Sequence, residues 1–236
     1  MCVVAHPDDE CFGFGGALAL AADHGIETYV VCMTDGQAAT NRGSAASAAE
    51  LGRMRREEFA ASCKVLGVTQ NELLHYHDAQ LQNIATTEAT EHLVRRMRQF
   101  RPNVVITFGG DGGLNTHPDH MMVSFWTTTA FHWSGQANRF PDSGEAYQPD
   151  RLFHLTTNFF IPDRQPPLPI PWTTTLDIES VRERKNEAFR QHVSQAPLME
   201  KTKELFAKFG GQEFYTLMAS RKPGPAEQMT DLFQGI

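Results

Sequence analysis

The 236-residue sequence contains no run of about 18 apolar residues, so nothing in it reads as a membrane-spanning helix. It also lacks a charged N-terminal segment followed by an apolar stretch and a cleavage site, which argues against a secretory signal. Cysteine is scarce. Cys2, Cys11, Cys32 and Cys63 include no Cys-x-x-Cys pair, and their spacing does not suggest a zinc ribbon. Positive charge is in deficit, with 21 Lys and Arg against 28 Asp and Glu and a net charge of −7. Such a field repels phosphate polymers and anionic bilayers, so neither nucleic acid nor a membrane surface is an expected partner. A cytoplasmic protein with a small-molecule substrate is the expectation.

The composition is 41% apolar, enough to bury one sizeable core, and the reading is one domain over 1–236. Short β-branched runs alternate with amphipathic stretches, the signature of βαβ units and a parallel α/β sheet. Residues 2–5 read as a first strand, shorter than usual, which leaves the completeness of the start open. Residues 15–24 read as a helix, 28–33 as a second strand, 46–66 as a helix closed by Gly67, and 72–77 as a third strand. A helix over 87–100 stops at Arg101-Pro102, and 103–108 is the clearest buried strand. Beyond it, 134–172 is loop-rich, crowded with Gly and Pro around a strand at 152–157. A strand at 173–178 and a charged helix over 179–192 follow.

The chemistry stands at two strand ends. His6-Pro7-Asp8-Asp9-Glu10 follows the first strand, and His117-Pro118-Asp119-His120 follows the fourth and its loop. Zinc accepts imidazole nitrogen and carboxylate oxygen, and a catalytic site keeps three protein ligands with a fourth position for water. Crossovers running from strand one to two and three, then back to place four beside one, would bring both motifs to one switch point. Residues three apart in a first helical turn share a face, so His6 can point with Asp9, and His117 with His120. Spacing alone does not choose between His117 and His120 as the ligand.

With these motifs the chain resembles the LmbE-like, or PIG-L-like, N-acetylglucosaminyl deacetylases. Further matches are Gly13 to Gly16, Thr34-Asp35-Gly36, Arg55-x-x-Glu58 ahead of Leu66-Gly67-Val68, and Lys185 through His192 to Ser194-Gln195. The resemblance implies a Rossmann-like, mostly parallel twisted sheet with helices on both faces. It implies zinc bound by His6, Asp9 and His120, Asp8 as general base, and His117 as electrophilic or acid partner; iron is the alternative ion, since availability as well as the ligand set selects the metal. It also implies an N-acetylated amino sugar as substrate and allows a homo-oligomer. Asn115 stands where some relatives carry a tyrosine, so any oxyanion role of that tyrosine falls to His117 or another group.

Around this centre, Asp119 reads either as a helix-start residue or as a group orienting a neighbouring histidine. Asp35 and Arg42, beside a small polar loop, are candidates for sugar contacts. Arg55 is a third candidate, against a plainer reading as a helix-face partner of Glu58, and His192 a fourth. Asp8 and Asp9 could merely cap the next helix, but capping needs one of them. Gly13, Gly15 and Gly16 invite a dinucleotide reading that the adjacent acids oppose. A near rival for the activity is an amidase cleaving a larger amide of a sugar-linked thiol conjugate; a rival of another class is a metal- or sugar-binding module without turnover.

Overall fold

In chain order the elements are β1 (Cys2–Val4), α1 (Asp9–Phe12), α2 (Gly15–Asp23), β2 (Tyr29–Thr34), α3 (Ala48–Leu66), β3 (Gln70–Tyr76) and α4 (Thr86–Phe100). Then come β4 (Val104–Phe108), α5 (Pro118–Ser134), β5 (Arg151–Thr156), β6 (Thr174–Asp177), α6 (Arg182–Arg190), α7 (Ala196–Phe209) and β7 (Gln212–Ser220). The computed structural model describes residues 1–113, 115–158 and 170–235, and the strands belong to one mixed, mostly parallel sheet of an α/β fold. The proline-rich stretch read as a loop at 161–171 lies, up to 169, outside the described residues. The described chain divides into two compact units.

The first unit holds Cys2–Ala79 and Leu176–Glu213. Here β1 pairs with β2 and β2 with β3, all parallel. Every residue of β1 and β2 is buried, as expected of parallel strands covered on both faces. The long α3 starts where Ser47 accepts the Glu50 amide at 3.1 Å, and ends at Gly67, whose φ of 79° closes the last turn. Its inward face carries Arg55, Glu58 and Ser62 as well as Leu51, Phe59 and Leu66. Of its basic residues, Arg53 is exposed, while Arg55 turns inward.

The glycines after β1 serve packing. A Cβ on Gly16 would stand 2.4 Å from the Ile178 side chain. The α2 amides of Gly16 and Ala17 donate to Glu213 at 2.7 and 3.0 Å, and Lys185 pairs with the same carboxylate at 2.6 Å. A pyrophosphate would need the helix end that the protein's own buried carboxylate already caps.

The second unit holds Met1, Gln80–Thr175 and Phe214–Ile236. Here β4 pairs parallel with β5, and β5 pairs antiparallel with β7. Phe214 and Tyr215 are buried in β7 and belong to the core. The loop after α5 is irregular, as its composition predicts, yet it is anchored. The buried Arg98 guanidinium donates to the carbonyls of Ser134, Gln136, Arg139, Phe140 and Gly144. The start of α5 at Pro118 was read from the sequence, but its length was not, and α7 and β7 lie outside the sequence-read elements, because their mixed faces blur the apolar period.

His154 in β5 is buried, and its Nε2 lies 2.9 Å from Thr128 Oγ1, whose proton is already given to the Ser124 carbonyl. Nε2 is therefore the protonated nitrogen, and buried Nδ1 has no partner for a second proton. Burial accordingly lowers the His154 pKa to about 4. A folded pKa below the unfolded 6.5 means stability is complete above 6.5 and is lost as pH falls toward 4. The expected loss is about 3 kcal/mol across that window. Urea midpoints between pH 7 and 4 should fall more steeply for the wild type than for His154→Asn; parallel curves would show that His154 does not set this limb.

Candidate metal centre

After β1 the chain turns through His6-Pro7-Asp8 into α1, which Asp9 opens. Asp9 Oδ2 accepts the amides of His6 at 2.8 Å and Ala5 at 3.2 Å, locking the carboxylate to the turn before it. His6 Nε2 lies 3.0 Å from Asp78 Oδ1, at the end of β3, and Asp78 Oδ2 accepts the Ala38 amide at 3.0 Å. Burial would raise the Asp78 pKa, but the hydrogen bond and charge of His6, with the Ala38 amide, hold it down to about 2. An ionised carboxylate only accepts, so the proton of a neutral His6 sits on Nε2. Nδ1, 3.6 Å from Asp9 Oδ2, then keeps the lone pair a cation needs.

Asp8 has φ 112° and ψ −28°, a conformation that costs a side-chain-bearing residue about 1–3 kcal/mol and must be held by its surroundings. Arg55 supplies one hold: Nη2 reaches both the Pro7 carbonyl and Asp8 Oδ2, the latter at 3.1 Å, while Nη1 donates to the Gly36 carbonyl at 3.0 Å. Burial pushes the Asp8 carboxyl up to about 6, against the lowering effect of Arg55. A carboxylate with that value is a competent base close to neutrality.

The second motif is built in the other unit. Gly112 and Gly113 have φ of 73° and 66°, and a Cβ on Gly112 would meet the His117 backbone at 3.2 Å and the His120 side chain at 3.3 Å. Glycine is required there, because the chain reverses tightly enough for the Gly112 carbonyl to accept from His120 Nδ1 at 3.0 Å. Phe108 at the end of β4 stacks on the His120 ring, 4.2 Å between centroids. A carbonyl only accepts, so His120 carries its proton on Nδ1 and presents a lone pair at Nε2.

His117 is the opposite tautomer. It caps α5, its Nδ1 accepting the Asp119 amide at 3.2 Å, so the neutral ring bears its proton on Nε2. The His117 amide donates to Asn115 Oδ1 at 2.9 Å. His120 is thus fitted to ligate and His117 to donate, a distinction that spacing left open. Asp119 is buried and its Oδ1 accepts the Leu81 amide at 3.1 Å, tying the first turn of α5 to the turn at Leu81–Asn83.

His6 and Asp9 are offered by the first unit, and His117, Asp119 and His120 by the second. Two imidazole nitrogens with lone pairs and one carboxylate fit a divalent cation that keeps a position for water. A third group, Glu10, Cys11 and His192, does not fit one. Burial keeps the Cys11 thiol protonated, and it donates to the Asp8 carbonyl at 3.1 Å. Glu10 Oε1 is taken by His192 at 2.7 Å and Ser62 at 2.5 Å.

The remaining predicted residues are dispersed. Asp35 Oδ2 pairs with Arg56 at 2.7 Å, and Arg42 is exposed. Arg55 and His192, expected as substrate contacts, are only 2% and 1% exposed and stand behind the Asp8 turn. Arg55 does not pair with Glu58, which instead accepts the Ser194 amide and hydroxyl at 2.7 Å each. Asp78, Ser62 and the bonding role of Glu10 were not read from the sequence; for Asp78 the available signal was its place at a parallel strand's C-terminal end, where such sheets build their sites.

His6-Pro7-Asp8-Asp9-Glu10 follows β1, and His117-Pro118-Asp119-His120 follows β4 and its loop, the strand ends at which parallel α/β sheets build their sites. The chain belongs to the PIG-L family, described as GlcNAc-PI de-N-acetylase, whose profile matches residues 1–131. It is 28% identical to a 1D-myo-inositol 2-acetamido-2-deoxy-alpha-D-glucopyranoside deacetylase of Salinispora arenicola, over 99% of this chain and 90% of that protein. It is 30% identical to the diacetylchitobiose deacetylase of Thermococcus kodakarensis, over 84% of this chain and 70% of that one. Among solved structures, the N,N'-diacetylchitobiose deacetylase of Pyrococcus horikoshii matches with a TM-score of 0.74 at 25% identity, covering 92% of this chain and 82% of that chain.

Asp78 touches His6 rather than the donor position, so its removal should loosen the site without abolishing it. Asp78→Asn is expected to weaken zinc binding ~10–100-fold in competition with a chromogenic chelator. Wild-type affinity in that variant would detach Asp78 from the centre.

Proposed function

We propose that the protein is a zinc-dependent N-deacetylase that hydrolyses the acetamide of an N-acetylated amino sugar, or of a conjugate carrying an N-acetylglucosamine-type unit, to acetate and a free amine. The observation that carries this reading is the pair of opposite histidine tautomers in one motif, a lone pair on His120 and an N–H on His117, combined with a carboxyl at Asp8 raised to about 6. The deacetylase names of the Salinispora and Thermococcus relatives support the substrate class. The coverage of the Pyrococcus structure supports reading 1–236 as one catalytic domain.

In this reading His6, Asp9 and His120 hold the ion, and iron is the alternative where availability favours it. A bound divalent ion lowers the pKa of its water from 15.7 to about 7 and polarises the carbonyl. Asp8 removes a proton from the attacking water, and Arg55 keeps the carboxylate oriented for that transfer. His117 Nε2–H donates to the carbonyl oxygen as negative charge builds on it. Asp8 then returns its proton to the nitrogen, and the C–N bond breaks with loss of the amine. Asp119 holds the turn on which both histidines stand. Asp35 and Arg42 are our candidates for sugar hydroxyl contacts.

The test is amine release from a panel of N-acetylated sugars, including N-acetylglucosamine and diacetylchitobiose, and from sugar amides with larger acyl groups, with zinc added or chelated. Release from the acetylated sugars, lost on chelation and restored by zinc, is the expected result. Cleavage of the larger amides alone would favour the amidase, and no release from any of them would leave a binding module. Asp8→Asn should retain zinc and lose ~10²-fold or more in turnover, whereas full activity would remove Asp8 as base. His120→Ala should lose zinc on dialysis; unchanged zinc content would take it out of the ligand set.

A further inference from the structure

The Asp8 turn has a second hold that no step of the reaction uses. Glu10 is fully buried, and its two oxygens are divided between two tasks. Oε2 accepts the Asp8 amide at 2.9 Å. Oε1 accepts from Ser62 Oγ at 2.5 Å and His192 Nε2 at 2.7 Å. Ser62 comes from α3, and His192 stands just after α6 at 1% exposure. The carboxylate therefore ties two helices of the fold to one backbone N–H, and that N–H belongs to the residue with φ 112°.

This arrangement exceeds what folding requires of an acid at that place. A buried carboxylate could be satisfied by Ser62 and His192 alone. Spending the second oxygen on a peptide two residues back fixes the orientation of that peptide plane. Asp8 would otherwise relax toward negative φ, swinging Cβ and the carboxyl away from their present bearing. Arg55 grips the side chain and the Pro7 carbonyl but makes no bond to this amide. The two holds are thus complementary, one on the carboxylate and one on the backbone that aims it.

We propose that Glu10 is a positioning residue for the reaction: braced by Ser62 and His192, it holds the Asp8 backbone in the conformation that aims the Asp8 carboxylate. The inference rests on Asp8 being the base. His192, a candidate for sugar contact on the sequence alone, acts through Glu10 and does not touch substrate.

Two variants of the full-length protein separate positioning from mere packing. Glu10→Gln can turn its amide oxygen to the Asp8 N–H and its NH2 to Ser62 and to a His192 that has moved its proton to Nδ1. Glu10→Asp keeps the charge and stays near Ser62 and His192, but it is one methylene too short to span both sides. Each is measured for zinc content, for kcat and KM on diacetylchitobiose, and, in the zinc-free protein, for hydrogen exchange at the Asp8 amide by NMR. The expected pattern for Glu10→Asp is a loss of about tenfold or more in kcat with KM and zinc content within about twofold, together with faster Asp8 exchange. Glu10→Gln should restore both kcat and protection to near wild type. If Glu10→Asp folds with wild-type kcat and wild-type Asp8 protection, the proposal is overturned. It is equally overturned if Glu10→Gln loses as much as Glu10→Asp in both readouts, which would mark a requirement for charge rather than for the bond. Should Asp8→Asn prove fully active, it is the reading of the base that fails, and the exchange measurement still reports whether Glu10 holds the turn.

Discussion

Three consecutive carboxylates, Asp8, Asp9 and Glu10, leave the end of β1 and are largely withdrawn from water, and the rest of the centre is arranged around making that tolerable. Like charges so close would drive protonation unless each had its own counterpart. Asp9 is met by two backbone amides, Asp8 by Arg55, and Glu10 by Ser62, His192 and the Asp8 amide. The outcome differs for each. Glu10 is held below its ordinary pKa because His192 and the hydrogen bonds outweigh burial, whereas Asp8 rises because burial outweighs Arg55. One tripeptide thus holds its three carboxyl groups in three different settings, with local amides at Asp9 and with Arg55, Ser62 and His192 brought from far along the chain to the other two.

The same economy governs the second motif. Two histidines three residues apart on one helix would be equivalent if only their own rings were considered. They are made unlike by what meets Nδ1: a carbonyl at His120, which forces a proton onto that nitrogen, and an amide N–H at His117, which forces it off. The glycines before α5 allow the first contact and the helix N-terminus provides the second. Tautomer choice is therefore a product of local backbone geometry rather than of the histidines themselves.

That distinction sets how much was legible in the sequence. The buried strands were readable because β1, β2 and β4 are continuous β-branched or apolar runs, and α3 because Gly67 closes it. The two His-Pro-Asp motifs were readable as candidate metal donors because each follows a strand end, β1 for His6 and Asp9, β4 and its loop for His120. The helix-face reading of Arg55 fails because spacing to Glu58 is a local signal, while its partners Gly36, Asp8 and Pro7 are 19, 47 and 48 residues away. Asp78 and Ser62 carried no motif at all; they matter through contacts with His6 and Glu10 that only tertiary structure creates. Local pattern reveals which groups do chemistry, and distant packing decides how each is held.

Asn115 shows how a departure from the pattern can be absorbed. A tyrosine at that place could offer a hydroxyl to a developing oxyanion, and an asparagine side chain is shorter. Here its carbonyl oxygen is spent on the His117 amide, which fixes the cap of α5 and with it the ring whose Nε2 bears the proton. Asn115 thus holds His117 in place and offers no hydroxyl of its own. If His117 donates to the carbonyl oxygen as we propose, this hold on its ring matters, since a preorganised donor helps only to the extent that it need not reorient as charge develops.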